Sequence, residues 1–528
     1  MNILKILLLG LWLQTGCWAN FEPLLLSSKG GHLRIDITWD EQKDCVYEIQ
    51  RAVPGSDHFS SLAETWLLVS RYSDFIGENG KEYEYRVRAH KISAAQVAAL
   101  DTSTWSKPVK CTSQLQNKED LISDLQRANF EYLWSYAHPV SGLIREGSQK
   151  YSDSAHVFWE RRCTTMGATG MAFFNIAVGV ERNWIQRGQA SERALKILRF
   201  LHEKTTRYHG AWAHWVDGAT GETIPFDTYD DGADLVETAF LAQGFIFARE
   251  YFNLENHEEQ EIRRLAHQLW SEIDWKFFSN GNAQNPFMFW HWSPKHGFKI
   301  NLPIRGATEC HIVHLLALVS PKHNIGLEYY KNSWVNPSYR KNNFFTGQDL
   351  SLGLKYGGPL FFAHYSYLGL DPRLIYYRDK TYFDHYQNIC KAQYAYEKRA
   401  RPTISRYQIW GLTASLDPWG YNVHAPGLLD NGTITPTASL SSWPYAPDLA
   451  LESFLGMYEE RGKSLWREFS FVDAYNDKKN WVAPGYISID VATIAPMIEN
   501  SRTGLCWDIF SKSKEVLRML SIINDEQF

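Results

Sequence analysis

Apolar and polar positions alternate in the N-terminal fifth of the chain. Leu33, Ile35, Ile37 and Trp39 alternate with polar residues, Tyr47 and Ile49 do the same, and so do Tyr83, Tyr85, Val87 and Ala89. A period of two marks half-buried strands, and Pro54-Gly55 and Asn79-Gly80 supply turns between them. Residues 21–112 therefore predict a small all-β domain, followed by a polar linker over 113–119. From residue 120 the period becomes helical. Leu121, Leu125, Ala128 and Tyr132 share a face, as do Leu195, Leu198 and Leu201, and Ile262, Leu265, Ala266, Leu269 and Ile273 form a longer stripe. Further helices are expected over 166–182, 234–252, 305–319, 359–369, 380–399, 447–461 and 491–500. About a dozen helices joined by long loops rich in Gly, Pro, Trp and Asn suit a toroid of paired helices over residues 120–528, its loops building a cleft on one face. The fold class read from the pattern is mainly α with a β-sandwich in front.

The first residues follow a different logic. Lys5 precedes the apolar run from Ile6 to Leu13, which matches a signal peptide and is too short to span a bilayer. Cleavage after Ala19 is expected, with a lipid anchor at Cys17 as the alternative, so the protein is read as periplasmic or secreted. The other six cysteines are scattered, without zinc spacing or a dense disulfide framework, and no Cys45–Cys111 bridge is expected. A net charge of −5 and the lack of a Lys/Arg block argue against nucleic-acid partners. Aromatic residues reach 15%, including 21 Trp. Sugar rings stack on such side chains, although a large core uses them too.

The candidate chemistry lies in three places. Asp230, Asp234 and Glu237 stand at i, i+4 and i+7, which a helix would place on one face, and Glu237 sits too far along to be explained as a helix-dipole partner. Glu309 follows Pro303 and shares a predicted helix face with Ile312, Val313 and Leu316. Apolar surroundings would keep its carboxyl protonated and fit for acid catalysis, while Arg305 one turn earlier offers a structural ion pair instead. Asp490 opens the last apolar helix and also reads as an N-cap. Around these lie the clusters Trp212, His214 and Trp215; Trp290, His291 and Trp292; and His364 and Tyr365, all read as sugar contacts. No His-Glu-x-x-His helix, Gly-x-Ser-x-Gly elbow, P-loop or dinucleotide fingerprint is present, so neither metal nor cofactor is expected.

These residues sit inside longer matching stretches. Val178 to Arg182, His209 to Trp212, Asp230 to Thr238, Phe289 to Pro294, Arg305 to Cys310, Gly357 to Ser366, Trp410 to Ala414, Asp430 to Ile434 and Met497 to Asn500 run in an order that resembles the glucoamylase-like β-1,2-glucanases of glycoside hydrolase family 144. Tyr83 to Ala89 and Trp105 to Val109 resemble the last strands of a fibronectin type III sandwich. The first resemblance implies an (α/α)6 barrel, no metal, and inverting hydrolysis of β-1,2-glucan by endo- or exo-attack. It implies Glu309 as acid and Asp490 as base, with Asp234, Trp212, His214, Trp290, His291, Trp292, Arg305, His364, Tyr365 and Asn431 holding sugar. A second assignment makes Glu237 the acid and Asp230 the base. The chain departs from the family after Asp490, where Val491-Ala492-Thr493 replaces the usual Gln-Gly-Pro. Two other readings follow: a non-catalytic glucan-binding protein, and a polysaccharide lyase on a similar toroid. A monomer is expected.

Overall fold

The computed structural model describes residues 24–42, 45–62, 69–93, 96–148, 162–336, 343–377, 379–402 and 406–525. The expected signal peptide and Cys17 lie outside them. Among the described residues no helix is long and apolar enough to cross a membrane.

Two antiparallel sheets form the N-terminal region. One holds Leu26–Gly31, Arg34–Trp39 and Arg71–Phe75; the other is built on Cys45–Ala52 and Glu82–Ser93, with Ser60–Ser61, Gln96–Thr102 and Val109–Thr112 at their sides. The alternation read from sequence sets their facing: Ile35 and Ile37 of the first sheet pack on Tyr47, Ile49, Tyr85 and Val87 of the second in one core. Leu33 departs from the expected strand. Its φ of 59° places it in the turn before Arg34, and its amide donates to the Asn79 side chain at 2.9 Å.

After this region, helices covered on every side alternate with helices that bury one face. Those buried all round are Met166–Glu181, Leu235–Tyr251, His311–Val319, the 3₁₀ turns Leu360–Ala363 and Tyr365–Tyr367, Pro436–Leu440, and the pair Ser488–Val491 and Ile494–Arg502. The one-sided elements are Lys118–Ser135, Arg187–Glu203, His257–Ser271, Leu327–Ser333, Tyr382–Ala400 and Pro447–Leu455. A helix apolar all round belongs inside and an amphipathic one outside. The alternation is thus an inner ring of six within an outer ring of six, an (α/α)6 barrel.

Two glycines let the inner helices touch. A Cβ on Gly244 would stand 2.3 Å from the Gly170 carbonyl oxygen, and one on Gly170 would stand 2.3 Å from that of Phe240. Helix Met166–Glu181 therefore lies backbone to backbone on Leu235–Tyr251, although glycine inside a helix costs about 1 kcal/mol relative to alanine.

The sandwich packs on the barrel through Arg34. This guanidinium, 3% exposed, meets Asp36 at 3.0 Å, Asp124 at 2.7 Å and the Tyr458 hydroxyl at 2.5 Å, and lies over the Trp466 ring. Asp36 belongs to the sandwich and Asp124 and Tyr458 to the barrel, so the buried charge is neutralised from both regions. Phe75 lies edge-on to Tyr458, and Trp466 donates to Ser73 at 3.1 Å.

Candidate active site

The helix expected over 234–252 begins at Leu235, which corrects the reading of three carboxyls on one helix face. Asp230 lies in a turn bonded to Asp227, Asp234 caps the helix, and only Glu237 is inside it. Short strands gather them nonetheless. Ala233–Asp234 pairs with His291–Trp292, and the Asp234 amide donates to the Trp212 carbonyl. Asp234 Oδ1 accepts the amides of Val236 and Glu237 at 2.9 and 3.0 Å, and Oδ2 faces His214 Nδ1 at 3.2 Å. His291 Nε2 stands 3.5 Å from Asp230 and 3.8 Å from Asp234.

These contacts set the charges. Burial favours the neutral form of Asp234, but His214, His291 and the helix amides outweigh it and hold the carboxyl below its usual range. Asp230, buried beside Asp234, is pushed up to about 7, and its Oδ1 is buried without a hydrogen-bond partner. His214 is carried up to about 10 against its burial by Glu237, Asp234 and Glu146, so it stays cationic at neutral pH. Asp230, Asp234 and His291 each bring a potential ligand atom within 4.8 Å of the others. Asp234 already serves two amides and an imidazole, so the open acceptor here is Asp230. That suits a hydroxyl donor of a sugar better than a dehydrated cation.

Glu237 is committed elsewhere. Its carboxylate accepts the Gly167 amide at 2.6 Å and the Thr165 hydroxyl at 3.2 Å, at the N-terminus of helix Met166–Glu181. Gly167 is required there, because a Cβ would stand 2.6 Å from Glu237 Oε2.

Glu309 was expected within a helix. Instead Pro303–Ile304 pairs as a strand with Met288–Phe289, and the helix starts at His311, leaving Glu309 in the turn before it. Proline pre-sets an extended φ as well as a helical one, and here the strand partner decides. Ser366 donates to the Glu309 carbonyl, fixing the turn. The carboxyl is partly buried, and burial, aided by Asp234 and Glu237, pushes it up to about 7 against hydrogen bonds from its own backbone and Thr308. Arg305 reaches Asn285 at 2.7 Å and lies over Phe287, so the alternative ion pair with Glu309 does not form.

Asp490 is 1% exposed inside Ser488–Val491, whose N-cap is Ile487, so it is not a cap. It accepts the Tyr365 hydroxyl at 2.8 Å and lies 3.3 Å from that of Tyr421. Burial and Asp473 push it well above the carboxylate range. Tyr365, which donates to Asp490, also feels the charge of Glu309.

The expected sugar contacts separate into two groups. His214, Trp290, His291 and Trp292 are partly exposed around Asp230 and Asp234. Trp212, 0% exposed, and His364, 1% exposed, are core residues: Trp212 donates to Thr205 and His364 meets Ser442 at 3.0 Å. Neither ring has a free face for a sugar. Asn431 donates to Asp417 at 2.8 Å, bracing the hairpin Ala414–Asp417 and Gly420–Val423 that carries Tyr421.

Three residues were not foreseen. Glu146, pushed up to about 7 by burial, acts on His214 and Glu237 and bonds Trp215 and Thr165. Asp473 is pushed up to about 7 by burial, and its Oδ2 accepts the Leu416 amide at 2.6 Å. Tyr421 reaches Asp490 from an exposed strand. A lone carboxyl in Phe471-Val472-Asp473-Ala474 was a usable signal.

Buried carboxyls beside half-exposed Trp and His side chains suit a glycosidase, and relatives agree. An exo β-1,2-glucooligosaccharide sophorohydrolase (non-reducing end) of Parabacteroides distasonis is 36% identical over 520 residues, covering 94% of this chain and 70% of that protein. The chain belongs to the glucoamylase-like β-1,2-glucanase family. A family model described as "Putative glucoamylase" matches residues 301–514. The crystal structure of a β-1,2-glucanase from P. distasonis superposes with a TM-score of 0.86 at 35% identity, covering 96% of this chain and 73% of that one. An endo-β-1,2-glucanase from Chitinophaga pinensis, solved with sophorotriose and glucose, superposes with a TM-score of 0.72 at 35% identity, covering 78% and 98%.

Proposed function

We propose that this chain hydrolyses β-1,2-linked glucan or its oligosaccharides with inversion, Glu309 acting as general acid and Asp490 as general base. The observation that carries the reading is Glu309, a partly buried carboxyl that keeps its proton to about pH 7. A glycosidic oxygen leaves only when protonated, and a carboxyl of that acidity can donate at neutral pH. Asp490, which accepts the Tyr365 hydroxyl, takes the proton of the attacking water, directly or through a substrate hydroxyl. Asp230, His291 and the cationic His214 grip the hydroxyls of the reacting sugar. The pairing of Glu237 with Asp230 is disfavoured because the Glu237 carboxylate is occupied by Gly167 and Thr165. A lyase would need a free Tyr or His base, but His364 is buried and Tyr365 donates to Asp490.

Exo action releasing a disaccharide is the favoured mode, because the exo-acting relative aligns over the β-sandwich as well as the barrel whereas the endo-acting one aligns over about the length of the barrel. We read the sandwich as fibronectin type III-like and the protein as exported, with Cys17 a possible lipid site. Linear β-1,2-glucan tests the activity. Disaccharide as the sole early product, in the α-anomeric form by proton NMR, supports the reading; mixed lengths mean endo action, a β-anomer means retention, and no new reducing ends means a binding protein. Glu309→Gln should lower turnover on glucan about 10²–10⁴-fold and much less on an activated aryl glycoside.

A further inference from the structure

The turn over residues 226–230 leads into the Asp230–Asp234 side of the site and closes on itself. The Phe226 amide donates to the Asp230 carbonyl at 2.9 Å, and the Asp230 amide donates to the Asp227 carbonyl at 3.1 Å. These bonds fix the Phe226 backbone relative to that of Asp230. Phe226 is 49% exposed. Its ring centroid lies 4.7 Å from that of His214 and 4.5 Å from that of Trp215, and those two lie 5.4 Å from one another. Rings on opposite faces of Phe226 would stand well beyond 5.4 Å apart, so both pack on one side of it. Its exposed area is the other side.

Asp230 ends the same turn. It is 8% exposed, its Oδ2 faces His291 Nε2 at 3.5 Å, and its Oδ1 is buried without a hydrogen-bond partner. An aromatic face left in water beside an unfilled buried acceptor costs the folded chain on both counts. A pyranose answers both. A β-glucosyl ring carries only equatorial hydroxyls, so its faces are C–H surfaces that stack on an aromatic ring while its edge offers hydroxyl donors.

We propose that Phe226 is a binding residue for the glucosyl unit held by Asp230. One face of the sugar lies on the open side of the ring, and a hydroxyl at its edge donates to Asp230 Oδ1. The proposal deepens the glucanase reading and rests on it. Stacking is present before the bond is cut and while it is cut, so it adds to binding more than to turnover. A sugar with an axial hydroxyl on that face would bury it against the ring without a partner, so the platform also selects for glucose.

Phe226→Leu separates stacking from packing, because leucine still covers His214 and Trp215 but offers no flat ring. Phe226 is half-exposed, so the substitution leaves the core intact. On linear β-1,2-glucan, Phe226→Leu should raise KM about tenfold while lowering kcat by less than about twofold, and Phe226→Tyr, which keeps the ring, should bring KM back to within about threefold of wild type. A wild-type KM in Phe226→Leu overturns the proposal. So does a fall in kcat at unchanged KM, the mark of a residue that only holds His214 in place. Binding without turnover gives the second readout. In the Glu309→Gln background, calorimetric titration with a short β-1,2-gluco-oligosaccharide should give a Kd about tenfold weaker once Phe226→Leu is added, and an equal Kd overturns the proposal. If wild type cuts no β-1,2-glucan and Glu309→Gln binds none, the glucanase reading falls and the proposal with it; if wild type cuts glucan while the Phe226 variants keep its KM, only the platform falls.

Discussion

The carboxyls around the start of helix Leu235–Tyr251 and those around Asp490 are about equally buried, at 2% exposure for Asp234, 5% for Glu237, 1% for Asp490 and 4% for Asp473. Their partners differ. Asp234 and Glu237 meet backbone amides and a histidine; these donors hold Asp234 below its usual range, whereas burial and the neighbouring Asp234 raise Glu237. Asp490 meets phenols and feels the like charge of Asp473. An amide stabilises charge and cannot give up its proton, whereas a carboxyl can. Burial alone thus says little about the role of an acidic residue: one side of the cleft is built to hold, the other to pass protons.

The comparison breaks most sharply at Asp490. Asp490→Asn should reduce turnover about 10²–10⁴-fold with Tm little changed, since the amide relieves the repulsion between buried carboxyls. A loss of less than tenfold would move Asp490 to the holding side. Next in size, Asp234→Asn keeps the helix cap but loses the charge facing His214, and should lower turnover tens-fold at unchanged Tm. Glu237→Gln should do the same with a Tm drop of several degrees, because it weakens the bond to Gly167. Equal Tm values for these two variants would contradict the capping role. Tyr421→Phe removes one donor from Asp490 and should cost only several-fold in rate, with the acid limb of the pH profile of kcat/KM raised.

The smallest effect concerns stability. Glu309 ionises near 7 when folded and near 4.5 when unfolded, so the folded state binds more protons between these values. The stability this contributes is complete below about pH 4.5 and is lost as pH rises through about 7. Glu309→Gln removes that dependence and should be about 1–2 kcal/mol more stable than wild type at pH 8, measured by urea unfolding. Equal stability at pH 8 would mean that Glu309 is ionised freely in the folded enzyme.

Much of this architecture was legible in the chain. The switch from period two to helical period separated sandwich from barrel, spacing marked Asp230, Asp234 and Glu237, and apolar neighbours marked Glu309 and Asp490. The local conformation at those residues was not legible, because strand partners distant in sequence decided it: Met288–Phe289 takes Pro303 out of a helix, and His291–Trp292 draws out Ala233–Asp234. Aromatic type did not separate Trp212, a core residue, from Trp290 and Trp292 at the cleft.

Arg34 leaves one more mark on the molecule. Separating the sandwich from the barrel would leave Arg34 paired with Asp36 alone, without the Tyr458 hydroxyl and the Trp466 ring, and would take both Arg34 and Lys29 away from Asp124. Neither piece then has an inexpensive way to melt first. Heating should give a single cooperative endotherm for the two regions, and the polar connector between them, though it reads as a flexible linker, should resist limited proteolysis until the whole molecule opens.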